Sequence, residues 1–105
     1  MIKILFMGTS DFSCESLKKI YEKGHEVVGV VTGSDKPQGR KMVLTPTPVK
    51  VYALSKGLKV LEPDKLKDEE FIKTIRNLNP DLICVVSFGK ILPKEILEIP
   101  RTAEQ

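Results

Sequence analysis

Lys36, Arg40, Lys41 and Lys50 fall in one stretch, SDKPQGRKMVLTPTPVK, with Asp35 as its sole acid. That stretch carries the chain's whole net charge of +3, leaving the remainder neutral. Cations gathered in one strip suit a polyanion, because each phosphate they neutralise releases condensed counterions. The plainer alternative is a solvated loop whose lysines serve solubility. A second stretch, VVSFGKILP, is an apolar run that ends at a glycine turn. Backbone N–H and C=O groups freed there can read a planar heterocycle, with Phe88, Ile91 and Leu92 as apolar walls. Its plainer alternative is a tight strand-to-helix connection with core hydrophobes.

Other chemistries are poorly served. The one histidine, His25, stands in a turn and has no partner at triad or metal spacing. Cys14 and Cys84 lie far apart without a CxxC or Cys/His pattern, so two reduced, partly buried thiols are expected and no metal site. A dinucleotide fold would need G-x-G-x-x-G after the first strand and an acid closing the second. MGTSDFS has one glycine, and Asp35 comes too late after Gly33 and Ser34. The clustered acids of a phospho-accepting receiver are also missing.

The elements that must position these residues read clearly. A chain of 105 residues, 41% hydrophobic and 30% charged, fits one ordinary globular domain. IKILFM is a short continuous apolar run suited to a strand buried on both faces. Ser10 or Asp11 caps a helix with Phe12, Leu17, Ile20 and Tyr21 on one face, stopped at Lys23–Gly24. EVVGVVT is a second strand. Beyond the basic stretch, Val49, Tyr52 and Ala53 mark a second helix, and LKVLEP a third strand. A third helix is expected from about Lys65, with Phe71, Ile72, Ile75 and Leu78 as its stripe. LICVVS is the fourth strand, followed by a short helix from Pro93. The order β-α-β-α-β-α-β predicts an α/β, Rossmann-like open parallel sheet, with ligands beyond the strands' carboxyl ends. The basic stretch leaves the sheet on that edge. Connections usually take about 2–6 residues, so one this long is functional or disordered. No apolar run approaches the ~20 residues that span a bilayer. MIKILFMGTS is too short for a signal peptide, so a cytoplasmic location is expected.

FMGTSDF, GHEVVGVVT, DKPQGR, LTPTPVK and NPDLICVVSFGKILPKEIL, in this order, resemble the N-terminal part of the methionyl-tRNA formyltransferase family. The resemblance covers residues 1–100, with 101–105 a divergent or truncated tail. It implies the N-terminal half of the formyltransferase fold. It further implies formyl transfer from 10-formyltetrahydrofolate to the amino group of initiator methionyl-tRNA, in translation initiation. By this resemblance Phe88, Gly89, Lys90, Ile91 and Leu92 line the folate, Lys90 without a specific side-chain role. Gly8, Thr9, Ser10 and Phe12 form a rim near the methionyl end. Lys36, Arg40 and Lys41 belong to a loop that enters the acceptor-stem end of the tRNA. Where the family resembles G-R-G-K-K-L, this chain has Gly39 to Leu44 as G-R-K-M-V-L, one glycine and some charge poorer.

An amine attacking a formyl carbonyl needs an oxyanion stabilised and protons moved. The family supplies an Asn and a His in an N-x-H-x-S-L-L-P-like segment plus a later Asp, and none of these matches a position here. The chain alone is therefore expected to be inactive, with no catalytic residue of its own. The alternative is a non-enzymatic folate- or tRNA-binding module. A sheet ending at its fourth strand would also leave an edge open to self-association.

Overall fold

The structure, a computed structural model, describes residues 2–34, 36–38, 43–86, 88, 92–99 and 102–104, with the backbone alone for 36–38, 43, 97 and 102–104. Strand β1 (Lys3–Gly8) is apolar and buried from Ile4 to Met7 because both its faces are covered there. Leu5 and Met7 enter one core with Val31, Phe71, Ile75 and Ile83; Phe6 enters the other with Leu17, Val30, Val49 and Ala53. Burying each such side chain contributes about 1.5–3 kcal/mol. Helix α1 (Asp11–Glu22) is capped by Ser10 and ends at Lys23, with Gly24 at φ +88° making the left-handed exit. β2 (Glu26–Val31) then pairs parallel with β1. The register slips between Ile4 and Leu5, setting Leu5 opposite Gly29.

Two short strands lie within the basic stretch. β3 (Lys36–Gln38) and β4 (Val43–Thr45) pair antiparallel and form a separate two-stranded arm. At three residues each they are too short to signal strands by their pattern. α2 (Pro48–Ser55) starts with proline in its first turn and ends before Gly57, at φ +70°. β5 is short (Val60–Leu61).

α3 (Glu69–Leu78) begins four residues later than Lys65. Asp68 is the reason: its carboxylate accepts from the Glu70 N–H at 2.9 Å, and Glu69 and Glu70 favour the positive helix end. Asn79, at φ 49°, closes the helix in the left-handed region. β6 (Leu82–Val86) follows, then α4 (Lys94–Leu97), with Pro93 at the cap position rather than inside.

β7 (Thr102–Glu104) adds to β6 in parallel, Leu82 opposite Thr102. The sheet therefore does not end at its fourth strand, and β7 covers the edge expected to be open. The order is β5-β2-β1-β6-β7, all neighbours parallel. α1 and α2 are tied by Tyr21 against Tyr52 (centroids 6.3 Å, planes at 86°), with the Lys56 ammonium 5.8 and 5.7 Å from the two rings. Phe12 departs from the expected apolar face of α1: it is 68% exposed.

The tightest corner is where β1 turns into α1. Gly8 pairs with Val86, and the buried Ser13 hydroxyl, on the first turn of α1, donates to the Val86 carbonyl. A Cβ on Gly8 would stand 2.6 Å from the Ser13 Cβ and 2.8 Å from the Val86 oxygen. Neither neighbour is the free end of a flexible side chain. Gly8→Ala is expected to lower the unfolding free energy by about 1–3 kcal/mol, read from the urea midpoint. An unchanged midpoint would refute the close approach.

Candidate functional site

In an open parallel sheet, ligands collect beyond the carboxyl ends of the strands, where the order reverses. Here the chain runs outward through β1, β2 and β5, then returns to place β6 on the other side of β1. The reversal lies at the Gly8–Val86 pair. Ser10 caps α1 there, its hydroxyl accepting from the Ser13 N–H at 3.2 Å and lying 3.1 Å from the Ser13 hydroxyl. The Ser13–Val86 hydrogen bond holds the first turn against the end of β6, and the two Ser10–Ser13 contacts fix Ser13 within that turn.

On the other side of β1, the arm leaves β2 after Thr32 and returns at Thr47. Thr32 stays on the ladder, its N–H donating to the Leu61 carbonyl at 3.0 Å. Thr47 caps α2, accepting from the Lys50 N–H at 3.1 Å. The Thr32 and Thr47 hydroxyls meet at 2.7 Å, buried. Just beyond, the Lys50 ammonium pairs with Glu62 at 2.8 Å, both about a quarter exposed or less (21% and 26%).

Between the first turn and the root of the arm lies a cleft of about 480 Å³. Thr9, Ser10 and Asp11 line one wall, and Ser34 and Thr45 to Pro48 the other. Five of its eight described lining residues carry hydroxyls and Asp11 is the one acid among them, so it offers hydrogen-bonding groups to a polar ligand. Of the rim residues expected from sequence, Thr9 and Ser10 line this cleft, Gly8 forms the corner beneath, and Phe12 stands exposed one residue beyond Asp11.

The other expected residues divide. Phe88 and Leu92, 6% and 8% exposed, belong to the core with Leu5 and Ile83. They anchor the two ends of the segment between them, whose Gly89, Lys90 and Ile91 lie outside the described residues. Lys36 is placed by its backbone in β3, while Arg40 and Lys41 also lie outside the described residues. A second cleft, of about 390 Å³, is lined by Arg76, Asn79, Glu95, Glu98 and Ile99 on α3 and α4. Asn79 puts it toward the opposite, amino edge of β6. His25, preceding β2, is at that edge too. Among the described residues no cluster of His, Cys, Asp and Glu could hold a metal ion, and no helix is long and apolar enough to cross a membrane.

The formyl transferase family profile matches residues 2–103. The chain belongs to the formyl transferase family. It is 52% identical over 100 residues to methionyl-tRNA formyltransferase of Geobacter metallireducens, covering 95% of this chain and 32% of the relative. It is 54% identical over 101 residues to the Bacillus subtilis enzyme of the same name, covering 96% and 32%. The chain thus spans about a third of the length of these curated relatives, and its motif resemblance to methionyl-tRNA formyltransferase is borne out. Among solved structures, phosphoribosylglycinamide formyltransferase of Streptococcus pneumoniae superposes with a TM-score of 0.65 at 18% identity, covering 94% of this chain and 52% of that one. The Bacillus halodurans protein of that name gives 0.64 at 10% identity, covering 90% and 50%. These two speak to the fold.

Within this formyl transferase domain the residues that sequence inspection passed over are Ser13, Thr32, Thr47 and Glu62. Ser13 had a local signal, standing three residues after a capping serine. The Thr32–Thr47 contact joins residues fifteen apart and leaves no trace in local pattern. Cys14 sits on the first turn of α1, where the helix end would favour a thiolate. Burial outweighs that and pushes its thiol above the ordinary range, helped by Glu15 and Asp11 against Lys18. Cys14 is therefore not poised as a nucleophile. Its alkylation by iodoacetamide at pH 8, followed by peptide mapping, is expected to run slower than that of free cysteine. Faster modification would contradict the burial.

Proposed function

We propose that this chain is the tRNA- and folate-facing part of a methionyl-tRNA formyltransferase. The activity is formyl transfer from 10-formyltetrahydrofolate to the amino group of initiator methionyl-tRNA, in the cytoplasm. Residues 1–100 belong to the N-terminal part of the catalytic domain, with 101–105 as its tail. The observation that carries this is the position of the cleft at the carboxyl ends of the strands, where it joins the first turn after β1 to the root of the basic arm.

The division of labour follows from the residues. Lys36, Arg40 and Lys41 on the arm neutralise phosphates of the acceptor stem. The hydroxyls of Thr9 and Ser10, above Gly8, grip the polar end of the substrate. Phe12, 68% exposed beside them, offers an aromatic face on which an unpaired base can stack. The folate would lie along the segment of Gly89, Lys90 and Ile91, which the buried Phe88 and Leu92 anchor at its two ends. Its formyl group is what the donor supplies when bound. Asp11 is the one ionisable side chain among the cleft's described lining residues, no histidine stands there, and His25 is on the far edge. The chain therefore binds and orients, while proton movement and oxyanion stabilisation come from an Asn, a His and an Asp outside these 105 residues. Self-association would run through the outer edge of β7.

The test is binding of an initiator acceptor-stem minihelix at several salt concentrations. Replacing Lys36, Arg40 and Lys41 together by alanine is expected to flatten the dependence of log K on log salt by about 2–3. An unchanged slope would remove the arm from the interface. Incubated with 10-formyltetrahydrofolate and methionyl-tRNA, the pure chain is expected to give no formylmethionyl product. Turnover would overturn the division of labour, and folate binding without RNA binding would favour a folate-binding module.

A further inference from the structure

We infer that the Thr32–Thr47 hydroxyl pair is a positioning clasp for the arm. With the Lys50–Glu62 ion pair, it sets the direction in which the basic strands leave the sheet. It thereby governs nucleic-acid affinity through residues it does not touch. This rests on the arm being the RNA-binding element.

The arm forms a sheet of its own, separate from the five-stranded one. Its internal ladder fixes its shape, but its orientation is set where the chain leaves and re-enters the domain. Thr32, 1% exposed, is still held by Leu61 at the first exit. Thr47, 8% exposed, is held by the helix it caps at the second. Pro46 and Pro48 restrict φ on either side of Thr47, so that exit is stiff. The 2.7 Å hydroxyl contact joins two already fixed points and closes the base of the arm. Water cannot readily replace it, because both groups are buried. The clasp also touches the cleft. A Cβ on Gly33 would lie 3.7 Å from the Thr9 methyl and 4.0 Å from the Thr47 methyl, so both walls flank that residue. A change at the clasp therefore moves the arm and reshapes the cleft together.

Thr32→Val keeps the side-chain shape, removes one hydroxyl and leaves the cap on Lys50 intact. Minihelix affinity is expected to fall about three- to tenfold, the scale of one buried hydrogen bond. Tryptic cleavage after Arg40 and Lys41 should accelerate relative to cleavage after Lys73 and Arg76 in α3, which serves as the internal reference. Thr32→Ser should restore both. A general loss of stability would instead speed cleavage at all four sites together. Wild-type affinity and an unchanged cleavage ratio in Thr32→Val would overturn the clasp, as would uniform acceleration. Should Thr32→Val fail to fold, Glu62→Gln removes the ionic half and the same ratio decides. Should the wild-type chain not bind the minihelix, the RNA assignment fails, and the cleavage ratio still judges the clasp.

Discussion

The corner at Gly8 decides where everything on the carboxyl edge of the sheet can stand. Helix α1 approaches so closely that its Ser13 side chain reaches across β1 to the last carbonyl of β6. One hydrogen atom in place of a side chain permits that approach. The helix start, the ends of two strands and one wall of the cleft are consequently a single packed unit. The second wall hangs from the same sheet through Thr32 and Leu61. Tyr21, Tyr52 and Lys56 brace the helices behind the two walls.

The site combines two kinds of recognition that need different settings. Hydroxyls and backbone groups discriminate by direction, so they sit on the ends of buried strands and capped helices, where packing limits their freedom. Cations act over distance and need no such packing, and those proposed to meet the RNA belong to the arm, whose two strands form a sheet separate from the main one. In the proposed reading, joining the two at one root would let a long polyanion be held outside while its end reaches the rigid edge. Such an arrangement supplies placement, whose share of a catalysed reaction is large even where no acid or base is contributed.

The main sheet was legible because its strands are buried on both faces and read as continuous apolar runs, as in IKILFM and LICVVS. Helix ends were legible at Ser10, Gly24 and Asn79, where capping chemistry is local. The start of α3 was not, since Leu66 mimics a helical position while Asp68 supplies the cap. The arm was missed because its strands are three residues each and pair with one another instead of with the main sheet. β7 escaped for a similar reason: RTAEQ has no apolar run, and its pairing with β6 is a tertiary event. Phe12 misled because an aromatic at helical spacing normally faces inward. At the site, the first turn and the placement of the basic stretch were visible. The hydroxyl clasp, made between distant residues, was not.

The central position of β1 has a consequence for how the domain assembles. Ile4 pairs with Val27 on one side and with Leu82 on the other, so its two neighbours arrive at very different times during synthesis. β1, β2, α1, α2 and β5 can pack early, with the arm and its root already in place. The other side of β1 stays an unpaired edge until α3 has been made and β6 delivered, a long-range parallel pairing that is intrinsically slow. Ser13 can close onto Val86 only once β6 is in place. The domain therefore matures from its basic arm toward its strand-end pocket, and the interval between the two is when a foreign strand can most easily take the place of β6.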